Sequence, residues 1–176
     1  MLKKIFPLYG EKVYLELFSP ENISEEYVGW LNNKEVMQFS NQRFKNHTFI
    51  TSLNYYNSFN GTDNIFLSIK KIDNEKMIGT MTLYFSTNHG VVDLGIMIGN
   101  KEMSSQGFGS DAWCGLVQAL SNGKIVRKIT AGALKSNVPM IKLMNKSGMH
   151  LEATKRDQEI YQGRPEDILY FAKFCD

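Results

Sequence analysis

"EMSSQGFGSDAW", residues 102–113, places two glycines, Gly107 and Gly109, between a polar run and an apolar one. A loop ending in glycines before a helix is common, and this one has three readings. The first is a helix entrance that needs only small residues. The second is a dinucleotide loop, since Gly107, Gly109 and Ala112 formally satisfy G-x-G-x-x-A. Its context argues against that: several polar residues separate Ile98 from Gly107, a single βαβ unit follows, and the next strand carries no acid. The third is a pyrophosphate site, in which the backbone N–H groups of Ser105, Gln106, Gly107, Phe108, Gly109 and Ser110 face the anion at a helix N-terminus. The glycines then leave room for phosphate oxygens.

The flanking charges favour the third reading. Between Asp111 and Glu152 there is no Asp or Glu, while Lys124, Arg127, Lys128, Lys135, Lys142 and Lys146 all fall there. A solvated basic face is the competing explanation for any one lysine. An acid-free segment directly after the glycine loop nonetheless suits a ligand with several phosphates.

Bulk properties narrow the class. A chain of 176 residues with 43% hydrophobic and 22% charged residues supports one core, so residues 1–176 are expected to form a single domain. A net charge of +2 is too small for a general nucleic-acid binder. Cys114 and Cys175 lack C-x-x-C spacing, and three scattered histidines offer no metal cluster. In "MLKKIFPLYGEK", Pro7, Gly10 and Glu11 interrupt the apolar run before a signal core or span can form. The expectation is a soluble cytoplasmic protein with no nucleic-acid, membrane or metal partner.

Outward from the loop, hydrophobic periodicity changes several times. Val13, Leu15 and Leu17 alternate as in a half-buried strand. Ser19-Pro20-Glu21 reads as a helix start, with Ile23, Tyr27, Trp30 and Leu31 on one stripe. Thr48 is placed to cap a second helix whose Phe49, Leu53 and Tyr56 share a face, ended by Asn60-Gly61. "NIFLSIKKI", "KMIGTMTLYF" and "VVDLGIMI" read as an antiparallel meander. A helix over residues 107 to about 121 follows, with Ala112, Leu116, Ala119 and Leu120 inward, then the strand "IVRKITAGAL". Residues 137–147 read as a helix with Ile141, Leu143 and Met144 inward, and strands are expected near 149–155 and 168–174. The whole is a mixed α+β order with one βαβ crossover.

The segment "VVDLGIMIGNKEMSSQGFGSDAW…VRKITAGALKSNVPMIKLMNKSGM" resembles the coenzyme A core of the GNAT acyltransferase superfamily. "LELFSPENISEEYVGWLNNKEVMQF" resembles the branch that contains ribosomal-protein N-terminal acetyltransferases. The resemblance covers nearly the whole chain. It implies a central, mostly antiparallel, splayed sheet with helices on both faces and acetyl-CoA as acyl donor. The family's loop usually begins with Gln or Arg where Ser104 stands here, so contacts are expected to come from backbone N–H groups.

The same resemblance implies that the backbone of Ile96, Met97 and Ile98 binds the pantetheine arm and polarises the thioester carbonyl. Gly95 is read as a bulge position, or as a packing gap. Asn137, which opens the last helix, and Lys146 complete the cofactor set. Direct transfer requires a base near that strand, and Asp93 is the first choice, with a solvent-facing strand cap as the alternative. His89 reads first as part of a turn, and Cys114 as packing rather than a nucleophile. The places where relatives carry a proton-donating Tyr or Ser are Met144 and Met140, which leaves Tyr84 or water as the acid.

"FSNQRFKNHTFITSLNYYNSF" resembles, more loosely, N-acetyltransferases of nucleotide-linked amino sugars in surface-polysaccharide synthesis. Arg43, His47 and Thr48 are candidates for sugar hydroxyls or a diphosphate, and Trp30, Tyr55 and Tyr56 for stacking, with core packing as the competing role of the aromatics. Three functions follow: acetylation of a small amine, of a protein α-amine in an open acidic groove, or coenzyme A binding without catalysis. A homodimer is the oligomer compatible with these readings.

Overall fold

The computed structural model describes residues 2–99, 103 and 106–175. Among them, eight strands form one sheet: β1 (Leu8–Tyr9), β2 (Val13–Leu17), β3 (Ile65–Lys71), β4 (Met77–Ser86), β5 (Val91–Ile98), β6 (Lys128–Leu134), β7 (His150–Tyr161) and β8 (Arg164–Phe174). The order across the sheet is β1-β2-β3-β4-β5-β6-β8-β7. Every neighbouring pair is antiparallel except β5 and β6, which are parallel and joined by the crossover helix. The α-helices are α1 (Glu25–Asn32), α2 (Phe49–Asn57), α3 (Phe108–Asn122) and α4 (Val138–Lys146). None among the described residues is long and apolar enough to cross a membrane.

Strand alternation divides the molecule into two faces. Ile65, Leu67 and Ile69 of β3, with Met81, Leu83 and Val92, pack against Trp113, Leu116 and Leu120 of α3 and Met144 of α4. Phe66, between two of those β3 residues, points the other way and joins Phe18 and Tyr27 and Trp30 of α1. Helices therefore cover both faces, as the resemblance implied.

Several local expectations shift. Ser19 opens only a 3-10 turn, Pro20–Asn22, because Asn22 Oδ1 accepts from Ser19 N at 2.8 Å. The helix proper begins at Glu25, capped by Ser24, whose Oγ accepts from Tyr27 N at 3.1 Å. Thr48 caps α2 as expected, but Phe49 and Leu53 are 49% and 41% exposed. Tyr56 does turn inward as expected, joined by Ser52 and Tyr55, because the face beside it borders an open cavity rather than a dry core. Gly95 is no bulge: it pairs in regular register with Thr82, and the shift in the β3–β4 ladder lies instead between Ile69 and Lys70. A Cβ at Gly95 would lie 2.7 Å from Thr82 Oγ1, so the glycine makes room for a neighbouring hydroxyl. The β7–β8 hairpin runs well beyond the expected strands and turns at Gln162 and Gly163, both at positive φ.

The feature that positions the site is a split in the sheet. β5 and β6 pair only through residues 91–93 and 128–130. Beyond that point β6 continues along β8, while residues 94–98 of β5 keep β4 on one side and have no strand on the other among the described residues.

Candidate active site

The loop first quoted ends in Gly107, whose φ of +85° is left-handed and favours glycine. Asp111 N donates to Gly107 O at 2.9 Å and closes the first turn of α3. The N–H groups of Phe108, Gly109 and Ser110 lie ahead of that bond and have no intrahelical acceptor. Gly109 fits α3 tightly to β5, since a Cβ there would lie 3.3 Å from Ile98 Cγ1. The Phe108 ring is buried in the core, so only its backbone is available at the loop. Ser104 and Ser105 lie outside the described residues.

Asp111, the one acid in this first turn, is turned away from the loop. Its carboxylate accepts from Glu11 N, Lys12 N and Val13 N at 3.1, 2.8 and 3.0 Å and ties the β1–β2 turn to the helix. That turn delivers Lys12, whose Nζ donates to Gln106 O at 2.9 Å. On the other side Lys146 Nζ donates to Ser110 Oγ at 2.8 Å. Two cations thus flank the helix entrance. Lys146 was legible in the basic tract; Lys12 was not, because it is distant in the chain and nothing around it marks the loop it reaches.

Two cavities meet at the open edge of β5. One, of ≈ 570 Å³, lies against Gly107, Gly109, Ser110, Asn137 and Lys146. The larger, of ≈ 750 Å³, is bounded by β4, β5, α1, α2 and the segment between those helices. Ile96, Ile98, Asn137 and Met140 belong to both walls, and Met97 to the larger. Most of the residues expected to hold a cofactor are therefore brought together. Asn137 also caps α4, its Oδ1 accepting from Met140 N at 3.2 Å. Met144, by contrast, is fully buried.

Asp93 is the last β5 residue paired with β6, opposite Thr130. Thr130 Oγ1 donates to its Oδ1 at 2.7 Å. Although the residue keeps an exposed surface, desolvation of its carboxyl by the surrounding strands raises the pKa above the usual value, and the Thr130 hydrogen bond opposes that rise in part. Across the β4–β5 ladder Asp93 stands opposite Tyr84, which lines the larger cavity. Tyr84 OH lies 2.7 Å from Tyr55 OH, and burial, with this contact, holds the Tyr55 phenol protonated well above its ordinary range.

The acceptor-side expectations fare unevenly. His47 lines the larger cavity, with Nε2 3.1 Å from Gln42 O. Arg43 is turned from it: Nη1 donates to Ser40 O at 2.8 Å and Nη2 to Ile160 O at 3.0 Å, so the guanidinium clamps the β7–β8 hairpin. Trp30 is a core residue, 8% exposed, stacked over Gly99 so closely that a Cβ there would fall 1.9 Å from its ring. His89 sits in a 3-10 turn, its carbonyl accepting from Arg127 Nε, and Cys114 packs along α3. Ser52, Thr80, Thr82 and Lys45, all on the cavity wall, went unnoticed because isolated hydroxyls and one lysine carry no sequence signal. No Asp or Glu lines the larger cavity among the described residues. Nor do they contain a group of three His, Cys, Asp or Glu that could hold a metal.

The acetyltransferase (GNAT) domain family matches residues 12–150. No curated protein matches the sequence. Among solved structures, a GNAT-family acetyltransferase from Bacillus anthracis superimposes with a TM-score of 0.80 at 17% identity, covering 95% of this chain and 97% of that one. The ribosomal L7/L12 alpha-N-protein acetyltransferase RimL, solved with coenzyme A, gives 0.83 at 11% identity, covering 97% of each chain. A spermidine N-acetyltransferase from Vibrio cholerae, solved with coenzyme A and spermine, gives 0.80 at 16% identity, covering 93% of this chain and 95% of that one.

Proposed function

The chain belongs to the GNAT acetyltransferase family, and from that premise we propose that it moves an acetyl group from acetyl-CoA directly to a primary amine of a small molecule, an amino sugar in nucleotide-linked form. The observation that carries this reading is the open edge at residues 94–98, which borders both cavities.

The residues present fit the cofactor. Unpaired backbone on an open strand edge suits an amide-bearing arm, as an added strand would. The entrance of α3, flanked by Lys12 and Lys146, suits a pyrophosphate. Acetyl-CoA supplies a thioester whose carbonyl an amine can attack. In this reading the N–H groups of residues 96–98 hold the arm and stabilise negative charge developing on that carbonyl. Asp93 takes the proton of the incoming amine, directly or through water. Tyr84, on the cavity wall and hydrogen-bonded to Tyr55, is the protic group for the leaving thiolate, since Met140 has no proton to give.

A wall of hydroxyls and aromatic rings supports a polyhydroxylated acceptor. The acidic groove that a peptide acceptor would favour has no counterpart in the larger cavity among the described residues. Thiol release from acetyl-CoA, followed with amino-sugar nucleotides, peptides and polyamines, tests the reading. Turnover of an amino-sugar nucleotide is expected. Turnover confined to peptides, or tight acetyl-CoA binding with no turnover, would replace it with one of the other two functions.

A further inference from the structure

Ser52 is 3% exposed, lies on the wall of the larger cavity, and its Oγ has no hydrogen-bond partner. A buried hydroxyl left unpaired is costly, and one on a cavity wall is satisfied when a ligand brings a polar group to it. The same cavity is lined by Lys45, exposed and in no ion pair among the described residues. The two neighbouring cationic or protonatable side chains are engaged: Arg43 holds Ser40, Asn41 and Ile160, and His47 Nε2 contacts Gln42 O. With no carboxylate on this wall among the described residues, a second positive charge on the acceptor has nothing to pair with.

We propose that the acceptor carries a phosphate-bearing group bound by Lys45 and an uncharged polar group that meets Ser52 Oγ, so that this wall selects an anionic amine and rejects a polyamine. The inference rests on the acetyl-transfer reading and deepens it. Lys45 takes the place that the sequence offered to Arg43. The amine lies at the open edge of β5, the neutral body of the acceptor crosses Ser52, and the anion sits at the exposed end. The ≈ 750 Å³ available suits a ligand larger than a monosaccharide.

The test is calorimetric titration of the coenzyme A-saturated protein with uridine diphosphate glucosamine, glucosamine and spermidine. The wild type is expected to bind uridine diphosphate glucosamine most tightly. Lys45→Gln should weaken that compound about tenfold and leave glucosamine within about twofold, as loss of one charge-assisted contact predicts. Ser52→Ala should weaken both sugar compounds several-fold with an unchanged or higher melting temperature, since it removes a hydroxyl that the fold itself does not use. Tighter binding of spermidine, or a Lys45→Gln variant indistinguishable from wild type, would overturn the inference while leaving acetyl transfer standing. Failure of coenzyme A to bind would overturn the acetyl-transfer reading and this one with it.

Discussion

Asp93 stands at the vertex of the split, held by Thr130 on one side and faced by Tyr84 on the other. Asp93 keeps an exposed surface, yet desolvation of its carboxyl disfavours the charged form, so the group ionises above the usual carboxylate range and makes a stronger base than an unperturbed aspartate. Asp93→Asn is predicted to lower kcat by roughly 10²-fold or more, the usual scale of a lost general base, and to leave acetyl-CoA affinity in place. The stability sign follows from the raised pKa. The folded state binds this proton more tightly than the unfolded chain, so wild-type stability falls as pH rises from the ordinary carboxylate value through the raised one. At neutral pH the Asn variant should melt no lower than wild type. A kcat that retains the wild-type pH profile, or a melting temperature that drops sharply, would reduce Asp93 to a strand cap.

At the scale of elements, the entrance of α3 shows how a short motif acquires a role from its surroundings. Gly107 is needed first by the backbone, at φ +85°, and an added Cβ would meet only Lys12 Nζ at 3.6 Å. Gly107→Val is therefore strained whatever binds there, and Gly107→Asn is the better probe because asparagine tolerates left-handed backbone. The Asn variant should unfold at a higher urea concentration than the Val variant, yet bind acetyl-CoA about tenfold or more weakly than wild type. Wild-type affinity in the Asn variant would detach the loop from phosphate binding. The helix, its register and the βαβ crossover were legible because α3 carries a strong apolar stripe and the meander alternates cleanly. The phase of α2 was only partly legible: Tyr56 packs on the core as its spacing implies, but Ser52 and Tyr55 face a cavity, and Phe49 and Leu53 do not make the dry face that periodicity assumes. The hairpin was shortened for a related reason: β7 is exposed along most of its length and shows no apolar face.

For the whole molecule, the sequence carried the family, the layer order and the loop, and with the loop several residues that the fold gathers at one cavity. What it could not carry was convergence from distant places. Lys12 reaches Gln106 through a turn strapped by Asp111, and Lys45, Ser52 and Tyr84 share a wall drawn from three separate elements. Trp30 and Arg43 were the attractive residues by type, and both are occupied in holding the fold. The molecule joins these parts by splitting one sheet, so that a single edge borders the cavity at the entrance of α3 on one side and the larger cavity on the other.

Amide hydrogen exchange on that edge tests the central claim most directly. In the free protein, the amides of residues 94–98 that point away from β4 should exchange quickly. With saturating acetyl-CoA they should become protected together with those of residues 108–110, while the β6 amides bonded to β8 stay as they were. Binding of acetyl-CoA that leaves residues 94–98 exchanging at the free rate would contradict the account.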